Sequence, residues 1–417
     1  MLFADLLRAL IRNGRLTLID AGGIRHEFGQ APGRSVTIRL HRRRLHWLLA
    51  LRPRMAIAEA YVDGTLTVED GTIYDFLMLA FGNIETAAPS SFAPLWNGVS
   101  WSIRHLHQFN PIARARHNVA RHYDLSGSLY DLFLDADRQY SCAYFQHPGD
   151  DLETAQAAKK RHIAAKLCLK PGMKVLDLGS GWGGLALYLA REAGVDVTGL
   201  TLSAEQFKLA TERARAAGLA DRVRFRLQDY RAETGLYDRI VSVGMFEHVG
   251  VLNFQRYFDT LRSRLVEDGI ALVHAIGRRD GPGDTNPWIR KYIFPGGYVP
   301  ALSEVLPRIE RSGLWVTDIE ILRLHYAFTL RHWRLRFMAN RDRARGIFDE
   351  RFCRMWEFYL AAAEATMRVG GQMVFQIQLS RRLDAVPLTR DYIDDSKHSE
   401  RSRQAAPEPV GVPQYDG

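Results

Sequence analysis

The sequence predicts an α/β fold: a mostly parallel seven-stranded sheet with helices on both faces, preceded by a small α+β unit. Three observations carry that prediction. After Pro171, short runs of Val, Leu and Ile alternate with helical stretches, the pattern of parallel strands buried on both faces. The first of these runs ends in a glycine loop that opens directly into a helix. The first hundred residues read differently, as short strands and helices closed by a segment rich in Pro, Ser and Gly. A chain of 417 residues also exceeds the reach of one core, about 250–300 residues.

Taken in order, Met1 to Arg15 reads as an amphipathic helix, with Leu2, Phe3, Leu6, Leu7, Leu10 and Ile11 at helical spacing. Such a helix is expected to dock on its own domain more often than in a membrane interface. Leu16 to Leu51 carries strand-like alternation, as in Ser35-Val-Thr-Ile-Arg-Leu40, and Ala56 to Phe81 reads as helical. Residues 1–82 are therefore one α+β domain, 83–100 a linker, and 101–383 the main domain. The latter starts with a largely helical stretch from Trp101 to Leu169. Strands are expected at Met173–Leu178, Asp196–Leu200, Val223–Leu227, Tyr237–Val243 and Gly269–Ala275. Helices at Gly184–Glu192, Ala204–Ala216 and Asn253–Leu265 separate them. Two later runs, Trp315–Leu324 and Gln372–Leu379, frame two helices and close the sheet edge. The tail, 384–417, is polar and Pro-rich and is expected to be disordered.

Composition narrows the function classes. With 47% hydrophobic and 25% charged residues, the chain is neither disordered nor collagenous nor a coiled coil. Its three cysteines, Cys142, Cys168 and Cys353, form no C-x-x-C pair, which excludes a disulfide framework and a cysteine-rich zinc site and points to a reducing compartment. No metal site is expected. The apolar runs are too short to cross about 30 Å of hydrocarbon, and Asp5 and Arg8 interrupt any signal-peptide core, so a cytoplasmic protein is expected. Net charge is +9, and the excess is local: residues 1–55 hold 11 Arg against Asp5, Asp20 and Glu27. An acidic partner is implied, nucleic acid or an anionic membrane surface. A well-solvated Arg-rich surface explains the charge equally well.

The most informative local motif is Val175-Leu-Asp-Leu-Gly-Ser-Gly-Trp-Gly-Gly184. Gly179, Gly181 and Gly184 satisfy the G-x-G-x-x-G of dinucleotide sites, a weak signal by itself. Two features oppose that reading: Asp177 interrupts the apolar strand, and the second strand, Val197-Thr-Gly-Leu-Thr-Leu-Ser203, ends without the acidic residue that would hold a ribose. D-x-G-x-G-W-G instead resembles the first motif of class I S-adenosylmethionine-dependent methyltransferases.

Further motifs follow in order: His122-Tyr-Asp-Leu-Ser126, Tyr140-Ser-Cys-Ala-Tyr-Phe145, Thr201-Leu-Ser-Ala-Glu-Gln206, Gln228-Asp-Tyr-Arg231, Gly244-Met-Phe-Glu-His-Val-Gly250 and Tyr292-Ile-Phe-Pro-Gly-Gly-Tyr298. With the glycine loop they closely resemble the cyclopropane-fatty-acyl-phospholipid synthases and the mycolic-acid cyclopropane synthases, from about His117 to Leu379. Ala58-Glu-Ala-Tyr-Val-Asp-Gly64 is similar, more loosely, to the lipid-binding domain of the phospholipid enzymes. The resemblance implies S-adenosylmethionine bound by Tyr140, Ser141, Asp177, Gly179, Gly181, Gly183, Thr201, Leu202, Gln206, Asp229 and Tyr230, with Gln206 on the ribose in place of the missing acid.

It also implies the chemistry. An alkene attacking a sulfonium methyl becomes a carbocation, and closing a cyclopropane requires a base to remove a proton from the new methyl group. Family members hold bicarbonate as that base; the matching positions are Cys142, Glu247, His274 and Tyr326, with backbone near Val243 and Gly244. Cys142 also fits as a small buried hydrophobe. His248 is read as structural, because His274 ends a predicted strand, where ligands bind in parallel sheets. Cys353 is read as packing. One departure is Ala363, where the family often has cysteine; it leaves open a relative that makes methyl- or methylene-branched chains. The expected partners are unsaturated phospholipids at an anionic inner membrane surface, reached through the Leu/Phe face and the Arg42-Arg-Arg44 cluster of residues 1–55. A nucleic-acid methyltransferase would carry an N-P-P-Y-like or P-C motif where this chain has Gly244-Met-Phe-Glu-His, so no nucleic-acid partner is expected. A homodimer, chain length and headgroup stay open.

Overall fold

The computed structural model describes residues 2–86 and 127–394. The remainder of the expected linker (87–100), the start of the helical stretch (101–126) with the motif His122–Ser126, and the tail from 395 lie outside the described residues.

The N-terminal unit runs α1 (Leu2–Leu10), β1 (Asn13–Ile19), β2 (Arg25–Leu40), α2 (Leu45–Leu51), α3 (Pro53–Val62), β3 (Leu66–Asp70) and α4 (Ile73–Thr86). Helix α1 buries Phe3, Ala4 and Leu7 and so docks on its own unit. It is shorter than its hydrophobic spacing suggests. Asn83 accepts hydrogen bonds from the N–H groups of Arg12 and Asn13 at 2.9 Å and donates to the Asn13 carbonyl, and this capture turns the chain into β1. Two other expectations are corrected. Leu45–Leu51 is a helix, not a strand, with Leu45, His46 and Leu49 buried on one face. The helix expected over Ala56–Phe81 is interrupted by β3: Gly64, at φ +68°, ends α3, and Leu66 and Val68 pair with Leu40 and Ile38 of β2. Helix α4 continues to Thr86, so the first residues of the expected linker are helical.

The larger unit begins with α5 (Gly127–Tyr130) and α6 (Leu152–Lys166), the latter capped by Asp151, which accepts from the Thr154 N–H at 2.8 Å. Then follow β4 (Lys174–Leu178), α7 (Gly184–Ala193), β5 (Asp196–Thr201), α8 (Ala204–Ala216), β6 (Val223–Leu227), β7 (Tyr237–Val243), α9 (Phe254–Arg264), β8 (Leu265–Arg278), α10 (Pro287–Tyr292), α11 (Leu302–Ser312) and β9 (Trp315–Ile321). Three helices, not the two expected, lie between the last strands: α12 (His325–Ala339), α13 (Arg341–Ile347) and α14 (Glu350–Val369), before β10 (Gln372–Ser380).

The seven strands lie in the order β6-β5-β4-β7-β8-β10-β9, parallel from β6 to β8, with β10 antiparallel to both neighbours. The strand order reverses beside β4, where β5 lies on one side and β7 on the other. A crevice opens at the carboxyl ends of strands at such a point. The N-terminal unit shares one core with the larger one: Leu49, Tyr61, Leu66 and Phe76 belong to the same apolar cluster as Trp333, Trp356, Phe358 and Tyr359. Arg351 pairs with Asp63 at 3.0 Å, and the Tyr292 hydroxyl donates to Glu59 at 2.8 Å. The first part of the tail is ordered, against expectation. Ile393 is buried, and the Gln378 amide donates to the Tyr392 hydroxyl at 2.8 Å. Among the described residues no helix is long and apolar enough to cross a membrane.

Candidate active site

Two adjoining cavities occupy the crevice. The first, about 160 Å³, is built by the carboxyl ends of the four parallel strands β4, β5, β6 and β7 and by the segment before α6. From β4 come Asp177, Gly179 and Gly181, from β5 Thr201 and Leu202, and from beyond β6 Asp229 and Tyr230. Gln206 reaches in from α8, and Tyr140 and Ser141 from the segment before α6. Gly181 has φ +54°, and a Cβ built on it meets nothing within 4 Å, so a side chain there would project into the cavity. Gly183 is different. It does not line the cavity; its Cβ would lie 2.6 Å from the Phe225 ring and 3.1 Å from Ala210, so its smallness lets the loop pack on β6 and α8.

The polar groups are held in place. The Thr201 hydroxyl donates to Gln206 Oε1 at 2.9 Å, and Ser203 caps α8 by accepting from the Gln206 N–H at 3.2 Å. Asp229 pairs with Arg231 at 2.7 Å. Tyr140 stacks on Trp333 with ring centres 5.0 Å apart, and its hydroxyl lies 3.0 Å from that of Tyr359. Buried Lys159 donates to Gln139 Oε1 at 2.6 Å and to the Ser141 hydroxyl at 2.8 Å, which fixes two residues of the cavity wall. Burial lowers its ammonium to about 8. Asp177 is only 2% exposed and its Oδ2 has no hydrogen-bond partner. Burial pushes its carboxyl up to about 7.

The second cavity, about 100 Å³, brings Cys142, Glu247, His274 and Tyr326 together. Its remaining walls are chiefly apolar, with Ile276, Ile289, Phe294 and Val374. Glu247 Oε1 accepts from the Ile276 N–H at 2.7 Å, while Oε2 is buried without a partner. Desolvation raises this carboxyl to about 7. His274 does not end its strand as expected, because pairing with β10 carries β8 on to Arg278; it lies within β8, and its Nδ1 meets the Gln376 amide at 3.1 Å. Burial, with the nearby charges of Lys159 and Lys166, lowers it to about 3, so the imidazole is neutral. Burial also raises the Cys142 thiol well above its ordinary range. Tyr326 stands edge-on to Trp333 at 5.9 Å. Gly244, at φ +67°, donates its N–H to the His274 carbonyl at 2.9 Å and ties the end of β7 to β8.

Tyr140, Ser141, Gly244 and His248 line both cavities. His248 was expected to be structural, yet it stands at the junction, kept neutral by burial that lowers it to about 4. Its place directly after Glu247 beyond the carboxyl end of β7 was the available signal. Lys159 had none, because its helix position is ordinary and only folding buries it. Cys353 is buried in α14 and lines neither cavity, as its amphipathic setting suggested. Among the described residues no group of His, Cys, Asp and Glu could hold a metal ion.

Comparison with known proteins agrees with this geometry. The family model "Mycolic acid cyclopropane synthetase" matches residues 111–377. A probable fatty acid methyltransferase of Pseudomonas putida is 36% identical over 376 residues, covering 87% of this chain and 90% of that protein. The cyclopropane-fatty-acyl-phospholipid synthase of Escherichia coli is 38% identical over 332 residues, covering 79% and 84%. The crystal structure of the mycolic acid cyclopropane synthase CmaA1 complexed with SAH and CTAB superposes with a TM-score of 0.60 at 32% identity, over 65% of this chain and 99% of that one. On the crevice, its two joined cavities and these relatives, the chain belongs to the mycolic acid cyclopropane synthetase family and is an S-adenosylmethionine-dependent methyltransferase of fatty acyl chains.

Proposed function

We propose that the enzyme transfers a methylene group from S-adenosylmethionine to the cis double bond of unsaturated phospholipid acyl chains, closing a cyclopropane ring. The observation that carries this reading is the junction of the two cavities at Tyr140, Ser141, Gly244 and His248. A methyl donor in the first is there within reach of an acyl chain in the second. The first cavity fits the cofactor: the unpartnered Asp177 Oδ2 suits a cationic ligand, and the open space over Gly181 admits it against the backbone. Gln206, whose Oε1 accepts from Thr201, lines this cavity and would hold the ribose. S-adenosylmethionine supplies an electrophilic methyl group.

What the chain's own residues do follows from the alkene. Gain of a methyl leaves a carbocation on the acyl chain, which the aromatic residues lining this cavity, Tyr140, Phe294 and Tyr326, would tolerate where water would quench it. Ring closure then requires proton loss from the new methyl. Glu247, His274, Cys142 and Tyr326 would hold bicarbonate, which supplies the base. Glu247 fits that task because its free Oε2 belongs to a carboxyl near 7, able to share a proton with an anion.

The substrate lies in a membrane, and α2 suits an anionic cytoplasmic leaflet. Trp47, Leu48 and Leu51 are 64%, 43% and 56% exposed on that helix, directly after exposed Arg42, Arg43 and Arg44. The Leu/Phe face of α1 is not available for this role, since Phe3 and Leu7 are buried.

A second reading, transfer that stops at a methyl- or methylene-branched chain, is favoured by Ala363 and by the relatives named as fatty acid methyltransferases. One experiment separates the two. Unsaturated phospholipid vesicles are incubated with enzyme and labelled cofactor, and the acyl chains are read by mass spectrometry after ozonolysis. Gain of one CH2 in a product that resists ozonolysis is expected; a labelled product that is cleaved, or saturated, supports the branched alternative.

A further inference from the structure

The face of β8 that carries His274 continues to an arginine cluster with no part in the chemistry above. Alternate residues of a strand share a face. His274 and Ile276 both line the second cavity, and Arg278 follows on that face at the end of the strand. At ~3.3 Å per residue, β8 carries Arg278 about 13 Å from His274. Arg290 follows Ile289, which lines the same cavity, and pairs with Asp284 at 3.4 Å. Arg54, in the first turn of α3, shares this environment. Burial lowers its guanidinium below the usual range, Asp284 raises it, and the charges of Arg278 and Arg290 lower it again. The Nε of Arg278 is buried without a hydrogen-bond partner. Thr285, also on the cavity wall, donates its hydroxyl to the Gly297 carbonyl and adds no charge. Arg54 thus lies within reach of the charges of Arg278, Arg290 and Asp284, and of these only Arg290 pairs directly with the carboxylate. Three guanidinium groups against one carboxylate, half-buried at Arg278 and Arg290 and exposed at Arg54, leave an excess of positive charge that favours an anion.

We propose that Arg54, Arg278 and Arg290 bind the phosphate of the lipid whose acyl chain enters the second cavity. The inference rests on the phospholipid reading above. Guanidinium forks match phosphate oxygens in pairs, where lysines would act as point charges. Leu51, on the exposed face of α2, lies three residues before Arg54, so the helix suited to the membrane leads straight into the cluster. A lipid anchored there presents a carbon from the middle of its chain, not its carboxyl end, to Glu247 and His274. The anchor would therefore choose which double bond reacts.

The test uses the full chain with Arg54→Gln, Arg278→Gln and Arg290→Gln, singly and together. Two substrates are compared: vesicles of cis-unsaturated phosphatidylglycerol, and the matching free fatty acid, which has the chain without the phosphate. Each substitution should lower the ratio of kcat/KM for phospholipid over fatty acid by about tenfold, the effect of one charged hydrogen bond. Arg278→Lys should restore part of it. Inorganic phosphate should inhibit the wild type on phospholipid more than on fatty acid. An unchanged ratio in a triple variant that still binds S-adenosylmethionine overturns the phosphate site alone, as does equal inhibition by phosphate on both substrates, which would mark a free-anion site. Should the triple variant fail to fold, an unchanged ratio in the single variants and Arg278→Lys has the same force. A wild type that converts the fatty acid but not the phospholipid overturns the phospholipid reading, and this site with it.

Discussion

Asp177→Asn tests how the cofactor cavity recognises its ligand. In the free enzyme the Asp177 carboxyl is buried, unpartnered at Oδ2 and raised to about 7 from an ordinary value of 3.8. A cationic ligand beside it favours the ionised form, so below pH 7 binding must expel a proton. Affinity for S-adenosylmethionine should then fall by up to tenfold for each pH unit below 7, since one pK unit is about 1.36 kcal/mol. Between pH 7 and pH 5 the loss approaches roughly 10²-fold. In Asp177→Asn this component disappears, and at pH 8 the variant should bind about tenfold or more weakly, having lost a charge-assisted contact worth about 1.5–3 kcal/mol. The same shift acts on stability with the opposite benefit. Between pH ~4 and ~7 the folded state holds a proton that the unfolded chain has lost, so the ligand-free enzyme loses stability as pH rises through that window, on the order of 4 kcal/mol in all. Asn carries no such penalty. Titration calorimetry in two buffers of different ionisation enthalpy reads the expelled proton directly, and the difference between wild type and variant removes the titration of the ligand's own amino group. Equal proton release and equal pH slopes in the two proteins would refute the reasoning.

Three further outcomes are expected. Gly181→Val, which puts a β-branched side chain into the cavity at φ +54°, should abolish S-adenosylmethionine binding; unchanged calorimetric affinity in a folded variant would remove this loop from the site. Glu247→Gln keeps the shape but cannot ionise or share a proton, and turnover should drop on the order of 10²-fold with cofactor affinity nearly intact, so wild-type turnover would dissolve the anion site. Replacing Arg42, Arg43 and Arg44 by Gln should weaken binding to anionic vesicles by roughly 3 kcal/mol at most, at about 1 kcal/mol each, and high salt should mimic it. Trp47→Ser should weaken the salt-resistant part, and flotation that ignores salt, lipid charge and both changes would leave α2 as ordinary surface.

Much of the larger unit was legible because its signals are local. Ala204–Ala216, Val223–Leu227 and Tyr237–Val243 stand in the structure with the bounds their periodicity implied. The errors lie where a distant residue decides. Leu45–Leu51 has apolar residues enough for a strand, yet folds as a helix whose buried side faces the N-terminal core. Leu66–Asp70 extends because β2 offers it an edge. The tail holds at Tyr392 because Gln378 waits on the last strand.

The site divides in the same way. By itself the sequence determined that a strand, a glycine loop and a helix meet at β4, because positive-φ turns and close backbone approach are chemistry that neighbouring residues decide. The family resemblance also brought Cys142, Glu247, His274 and Tyr326 forward as one set. Only the tertiary structure decided that Gly183 serves packing while Gly181 faces the cavity, and that His248 stands where the two cavities join. It alone set Asp177 and Glu247 near 7 and His274 near 3. The reason is physical. A protonation state depends on how much water and which charges surround a group, and those come from segments far apart in the chain, as Lys159 beneath Ser141 and three arginines from α3, β8 and α10 illustrate.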